Sequence, residues 1–147
     1  MSLRTKLEDD IRAAMRARDE VKRDTLRMVV ASVKQTEIDL DRDLTDDEVL
    51  KVLATARKTR VEAAEQFDAA GRTDLARIER AQLEIVVSYL PQQLGEDELR
   101  TVVTELIGEL GAASPKDKGL VMKELMARHR GRIDGKAAQQ ILGELLS

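Results

Sequence analysis

The chain has 147 residues, 36% of them charged, with a formal net charge of −3 and no cysteine. That length allows one domain or two small ones. The missing cysteines exclude a disulfide framework, a thiol nucleophile and a zinc–cysteine site, and the net charge gives no general attraction to DNA, RNA or an anionic membrane. The single histidine, His129, excludes a multi-histidine metal centre, and one Phe, one Tyr and no Trp mean that any core is aliphatic. With two prolines and eight glycines, the composition favours helix over a β-sandwich.

Leu3, Leu7, Ile11 and Met15 recur every fourth residue, which predicts an amphipathic first helix with Ser2 as N-cap. Leu26, Val29, Val30 and Val33 mark a second. Residues 37–48 then hold seven acids and one arginine, a run expected to be a solvated connection. Thr45 and Glu48 form a T-x-x-E capping box, with Leu44 and Val49 at staple spacing. They predict a third helix that runs to Gly71, with a stripe of Val49, Leu53, Ala56, Ala63, Ala64 and Phe67. A fourth helix starts near Thr73–Asp74, buries Leu75, Ile78, Val86 and Tyr89, and stops before Pro91.

Residues 91–95, Pro-Gln-Gln-Leu-Gly, interrupt the periodicity and form the expected boundary. Three shorter helices follow. The first spans about 96–110, with Leu99, Val102, Val103, Leu106 and Leu110 inside, and ends at Gly111. Ser114 caps the second, Pro115 takes its first position and Gly131 closes it. Asp134 caps the last, which buries Ala138, Ile141, Leu142 and Leu145. The expected architecture is all-α: a bundle of about four helices over residues 1–93 and a three-helix subdomain over 94–147. The N-terminus lacks the apolar stretch of a signal peptide. The longest apolar run, Met28 to Ala31, is too short for a bilayer. A cytoplasmic protein without membrane contact is expected.

Several ordered stretches look familiar together. They are Leu26-Arg27-Met28, Leu44-Thr45-Asp46-Asp47-Glu48-Val49, the run from Glu65 to Ala76 (EQFDAAGRTDLA), Tyr89-Leu90-Pro91-Gln92-Gln93-Leu94, Ser114-Pro115-Lys116-Asp117 and Gly131-Arg132-Ile133-Asp134-Gly135-Lys136. This pattern resembles the YqeY-like family, which is similar to the C-terminal helical and tail region of GatB, a subunit of the tRNA-dependent glutamine amidotransferase. The resemblance implies a helical N-terminal part and a tail. In the amidotransferase the corresponding region helps hold tRNA, while the amide-transfer chemistry sits in a part this chain lacks. Stand-alone members look like tRNA-associated accessory proteins, and the family label carries a glutamine-dependent carbon–nitrogen ligase activity by association.

The residues themselves offer no catalytic constellation. A Ser-His-Asp triad would need His129, which falls on the arc of Val121, Leu125 and Met126 and reads as a half-buried helix-end residue. There is no G-x-G-x-x-G and no Walker A sequence, so neither a nucleotide cofactor nor a metal is expected. Two charges fall on apolar arcs: Glu37 among Leu26, Val30 and Val33, and Arg60 among Val49, Ala56 and Phe67. A charge there is costly unless paired. A Glu37–Arg60 pair between the second and third helices is therefore expected, with Glu79 as a second candidate for Arg60.

Charge is uneven along the chain. Residues 96–113 carry a net −4 and residues 114–136 a net +4. At about 100° per residue, Lys116, Lys123 and Arg130 share one stripe that faces away from Val121, Leu125 and Met126. Arg128 belongs to the same basic segment, and Arg132 and Lys136 extend it across the turn to the last helix, whose N-terminal N–H groups suit a phosphate. Without aromatic residues there, base stacking is not expected, and contact with the backbone of a folded RNA is. Compared with the family, this sequence exchanges Lys118 and Leu120: an apolar residue is usual at the first position and a basic one at the second. The first two helices carry eight cations against six acids up to Arg27, a mixture expected to form surface pairs. The leading expectation is a non-catalytic, tRNA-associated protein. The alternatives are an adaptor for an amidotransferase or synthetase subunit, bound through the N-terminal helices, and a glutamine-dependent ligase.

Overall fold

Seven α-helices carry the chain in a computed structural model that describes residues 2–129 and 131–147: α1 (Leu3–Ala17), α2 (Glu20–Leu40), α3 (Asp46–Ala69), α4 (Thr73–Val87), α5 (Glu96–Leu110), α6 (Lys118–Arg128) and α7 (Gly135–Leu145). No strand occurs among the described residues, so the fold is all-α. The chain divides into two compact units, Met1–Leu90 and Pro91–Ser147.

Local chemistry sets most of the boundaries in the first unit. The Ser2 hydroxyl accepts from the Thr5 N–H and starts α1. Asp19 does the same for α2 by accepting from Lys22. Both halves of the capping box form at α3, where Thr45 accepts from the Glu48 N–H and the Glu48 carboxylate accepts from the Thr45 N–H. Gly71 follows α3 at φ +74°, a conformation that is strained for any residue with a Cβ. Helices α1 and α2 end differently, on Arg18 (φ 57°) and Asp41 (φ 54°) in the left-handed region.

The core of this unit is Leu7, Leu26, Val29, Val30, Val33, Val49, Leu53, Val86 and Leu90. The most extensive helix pair is α3 with α4. Ala64 and Ala76, both buried, are the small residues that let two backbones approach closely. Two expected core positions are outside. Met15 is 49% and Ile78 54% exposed, each at the edge of its stripe. Ala14 takes the inward place on α1 instead.

The expected solvated connection is shorter than residues 37–48. Helix α2 continues through Leu40 and α3 begins at Asp46, so four of the seven acids belong to helices before Asp41 or after Thr45 in addition to Glu48 itself. The Glu37–Arg60 pair does not form. Glu37 lies on Arg4 of α1, with oxygens 2.6 and 2.7 Å from its Nη1, and accepts a third bond from the Leu44 N–H at 2.9 Å. Arg60 is 7% exposed and its Nε has no partner among the described residues; its Nη2 lies 4.0 Å from Met28 Sδ. The helix wheel located both charges on inward arcs but could not say which helix faced them.

In the second unit, α5, α6 and α7 pack on Leu99, Val103, Leu106, Val121, Leu125, Ile133, Ala138, Ile141, Leu142 and Leu146. Gly111 (φ +66°) ends α5 as expected. Ser114 and Pro115 open a 3₁₀ turn, Pro115–Asp117, rather than α-helix. The Asp117 carboxylate accepts from the Ala113 and Ser114 N–H groups and closes that turn. Asp134 caps α7 by accepting from Lys136. At the C-terminus Leu146 is buried and Leu145 is 40% exposed, since α7 ends at Leu145 and the following residue turns back onto the core.

Candidate functional site

The basic segment lies on the 3₁₀ turn, α6, the following turn and the start of α7. Lys116, Lys123, Arg128, Arg132 and Lys136 are all exposed; Arg130, expected in the same stripe, lies outside the described residues. The 3₁₀ winding turns Lys116 by about 40° relative to a continuous α-helix, which still leaves it within about 20° of Lys123. Val121 and Leu125 point the opposite way, into the core with no exposure at all. Met126, placed on that apolar arc by the wheel, is 41% exposed.

The structure sorts these cations into two kinds. Arg128 is committed. Its Nη1 meets Glu109 of α5 at 2.8 Å and its Nε meets Glu124 at 3.4 Å. The bond to Arg128 holds the Glu109 carboxyl below its usual range, and Glu109 in turn holds the guanidinium above its own. Arg132 is partly committed, because its Nε donates to the Gln92 carbonyl at 3.0 Å. Its own carbonyl accepts from the Leu94 N–H at 2.8 Å, so Arg132 ties the turn before α7 to the segment before α5. Lys116, Lys123 and Lys136 have no ion pair among the described residues. Sequence reasoning treated all six cations alike, because partner choice across helices does not show in a wheel.

His129 is half-buried and caps α6, with its N–H donating to the Leu125 carbonyl at 3.0 Å. Leu120 is 49% exposed beside the basic face, and Lys118 is half-buried on the other side. That is the arrangement the exchanged pair implied. Among the described residues no group of three or more His, Cys, Asp or Glu is placed to hold a metal ion. No helix among them is long and apolar enough to cross a membrane.

A family model described as Yqey-like protein matches residues 4–146. The chain belongs to the YqeY-like family. Its curated relatives include proteins named altered inheritance of mitochondria protein 41, mitochondrial. The one from Clavispora lusitaniae is 31% identical over 76% of this chain and 66% of its own length. The one from Lachancea thermotolerans is 29% identical over 90% of this chain and 68% of its own length. The one from Meyerozyma guilliermondii is 34% identical over 57% of this chain and 44% of its own length. This YqeY-like chain therefore spans from under half to about two thirds of the length of these relatives. Their names place those proteins in mitochondria.

Other polar contacts of this YqeY-like chain escaped the sequence reading. Tyr89 donates its hydroxyl to Asp10 of α1. Burial, and then the Asp10 carboxylate, push the Tyr89 hydroxyl well above its usual pKa. The Lys6 ammonium stands 5.4 Å from the centre of the Tyr89 ring, within cation–π range. These three residues fasten the end of the unit to its first helix. No local signal announces them, since the partners are 79 residues apart.

Proposed function

We propose that this chain is a non-catalytic accessory protein that contacts folded RNA, tRNA first, through the basic face of its C-terminal unit. The observation that carries the reading is the group of exposed lysines, Lys116, Lys123 and Lys136, which have no ion pair among the described residues; helical spacing puts Lys116 and Lys123 on the side of the 3₁₀ turn and α6 opposite the buried Val121 and Leu125. Cations held on one face supply salt-dependent affinity for phosphates without reading sequence. Arg132 extends the face, and Arg128 serves it by steadying α6 against α5. Family likeness to the amidotransferase tail supports tRNA as the ligand. We place the protein in the cytoplasm; recovery of the tagged protein from purified mitochondria would move it to the compartment named for its relatives and leave the contact itself untouched.

Binding to total tRNA across a salt series tests the proposal. The wild type is expected to weaken linearly with log salt. Lys116→Glu/Lys123→Glu/Lys136→Glu should reduce the magnitude of that slope by about 3 while keeping the native helical signal. Arg128→Gln should weaken binding less than that triple variant. Absence of wild-type binding at low salt, or equal binding by the triple variant, would overturn the reading.

A further inference from the structure

A groove of about 390 Å³ runs between α1 and α2 of the N-terminal unit. Its floor is Ile11 of α1 with Val30 and Ala31 of α2, and Arg12, Arg27 and Lys34 stand along it. The one acid in its lining, Glu8, is taken up by Arg4 at 3.4 Å. Arg12 is engaged by Asp9. Arg27 and Lys34 have no carboxylate within 4 Å among the described residues; the Arg27 Nη2 rests on Met15 Sδ at 3.5 Å. Apolar surface continues at both ends. Met15, the sulfur under Arg27, is 49% exposed, and Ile38 is 72% exposed. Ile38 is the one apolar residue of an adjoining groove that shares Lys34 and otherwise holds Arg4, Arg42, Glu37, Asp41 and Asp43, with Glu37 taken up by Arg4.

We propose that this groove docks an acidic amphipathic helix of a partner protein. Two features select that occupant. Arg27, whose carboxylate influence among the described residues is the more distant Asp24, and Lys34 call for carboxylates on the flanks of whatever binds. The floor of Ile11, Val30 and Ala31, with Met15 and Ile38 beyond it, rewards apolar side chains at i, i+4 and i+7, which a phosphate backbone does not have. Along α2 the groove runs from Arg27 to Lys34, about 10 Å or two turns of helix, and the exposed Ile38 lies one turn further on. The surface belongs to the N-terminal unit, whereas the RNA contact proposed above uses residues 116–136 of the C-terminal unit.

The test titrates the full chain, labelled for NMR, with a synthetic 15-residue helical peptide bearing leucines on one face and glutamates on both flanks. Its control carries lysines in place of the glutamates. The acidic peptide is expected to shift the amides of α1 and α2 and to bind at least tenfold tighter than the control. Arg27→Glu/Lys34→Glu, with an unchanged helical signal, should reverse that preference. Ala31→Arg, which fills the exposed floor, should abolish binding of the acidic peptide. Equal binding of both peptides, or no shift in α1 and α2, overturns the proposal. So does tRNA shifting those amides when the acidic peptide does not, which would make the groove a nucleic-acid surface. A dimer seen by sedimentation and lost in Ala31→Arg also overturns it, in favour of a second copy of this chain. The triple lysine variant at positions 116, 123 and 136 should bind the acidic peptide like wild type, so failure of the RNA reading and failure of this one are read separately.

Discussion

The two units of this protein treat buried polar groups in opposite ways. The N-terminal unit admits polar groups inside: Thr25 and Arg60 are buried there, and Thr25 Oγ1 and Arg60 Nε have no partner. It also draws its acidic run inward, with Glu37 held by Arg4 and the Leu44 N–H and Glu48 held by Arg42 through two bonds of 2.8 Å. The C-terminal unit buries no polar residue among those described and leaves three lysines unmet on its surface. A small unit has less core from which to offset a desolvated charge, so it keeps its cations in water. The lesson is that a surplus of one sign stays in water where the fold supplies no counter-charge.

The contrast can be broken most sharply in the core. Leu53 and Leu125 are both fully buried, and truncation of either to alanine should cost about 3 kcal/mol. In the C-terminal unit that loss is a larger share of the stability. Leu125→Ala is therefore expected to abolish amide-exchange protection in α5–α7, while Leu53→Ala leaves α1–α4 folded but weaker. Retained protection in α5–α7 of the first variant would show that the two cores are equally robust.

Next in size is the inward-drawn acid. Glu37→Ala removes the partner of Arg4 and of the Leu44 N–H together, at an expected cost of about 2 kcal/mol in chemical denaturation. A loss under half of that would mean that water replaces the carboxylate freely. Arg60 should respond in the other direction. Arg60→Met removes an unpaired buried charge and keeps most of the packing volume, so the thermal midpoint should rise, by about 1 kcal/mol of stability. A marked fall would reveal a counter-charge for Arg60.

The smallest effect is confined to acid. The bond to Arg42, and then the Thr45 N–H, hold the Glu48 carboxyl at about 2 against an ordinary 4.5. A depressed carboxyl stabilises the fold above its unfolded value and loses that contribution as pH falls through its folded value. Wild type should therefore lose thermal stability between about pH 4.5 and 2 relative to its value at pH 7, and Glu48→Gln should flatten part of that decline. Parallel acid limbs for the two proteins would show that the capping carboxylate does not contribute.

Much of this was legible in the sequence because it is local. Ser2, Thr45 with Glu48, Gly111, Ser114 with Pro115 and Asp134 act within four residues of themselves, and their hydrogen bonds follow from spacing. The aliphatic stripes of α2 and α5 likewise settled the all-α class and most of the core. At the candidate site, exposure of Lys116, Lys123 and Lys136 followed from the same periodicity, and so did the placement of Leu120 outside and Lys118 toward the inside. Tertiary structure decided what periodicity does not contain. It decided that Glu37 meets Arg4 rather than Arg60, that Arg128 is spent on Glu109, that Tyr89 reaches Asp10, and that Met15, Ile78 and Leu145 stay at the surface. Each of these depends on which helix lies opposite and at what height. A repeat of 3.6 residues fixes the direction of a side chain about its own axis and carries no information about the neighbour it will find there.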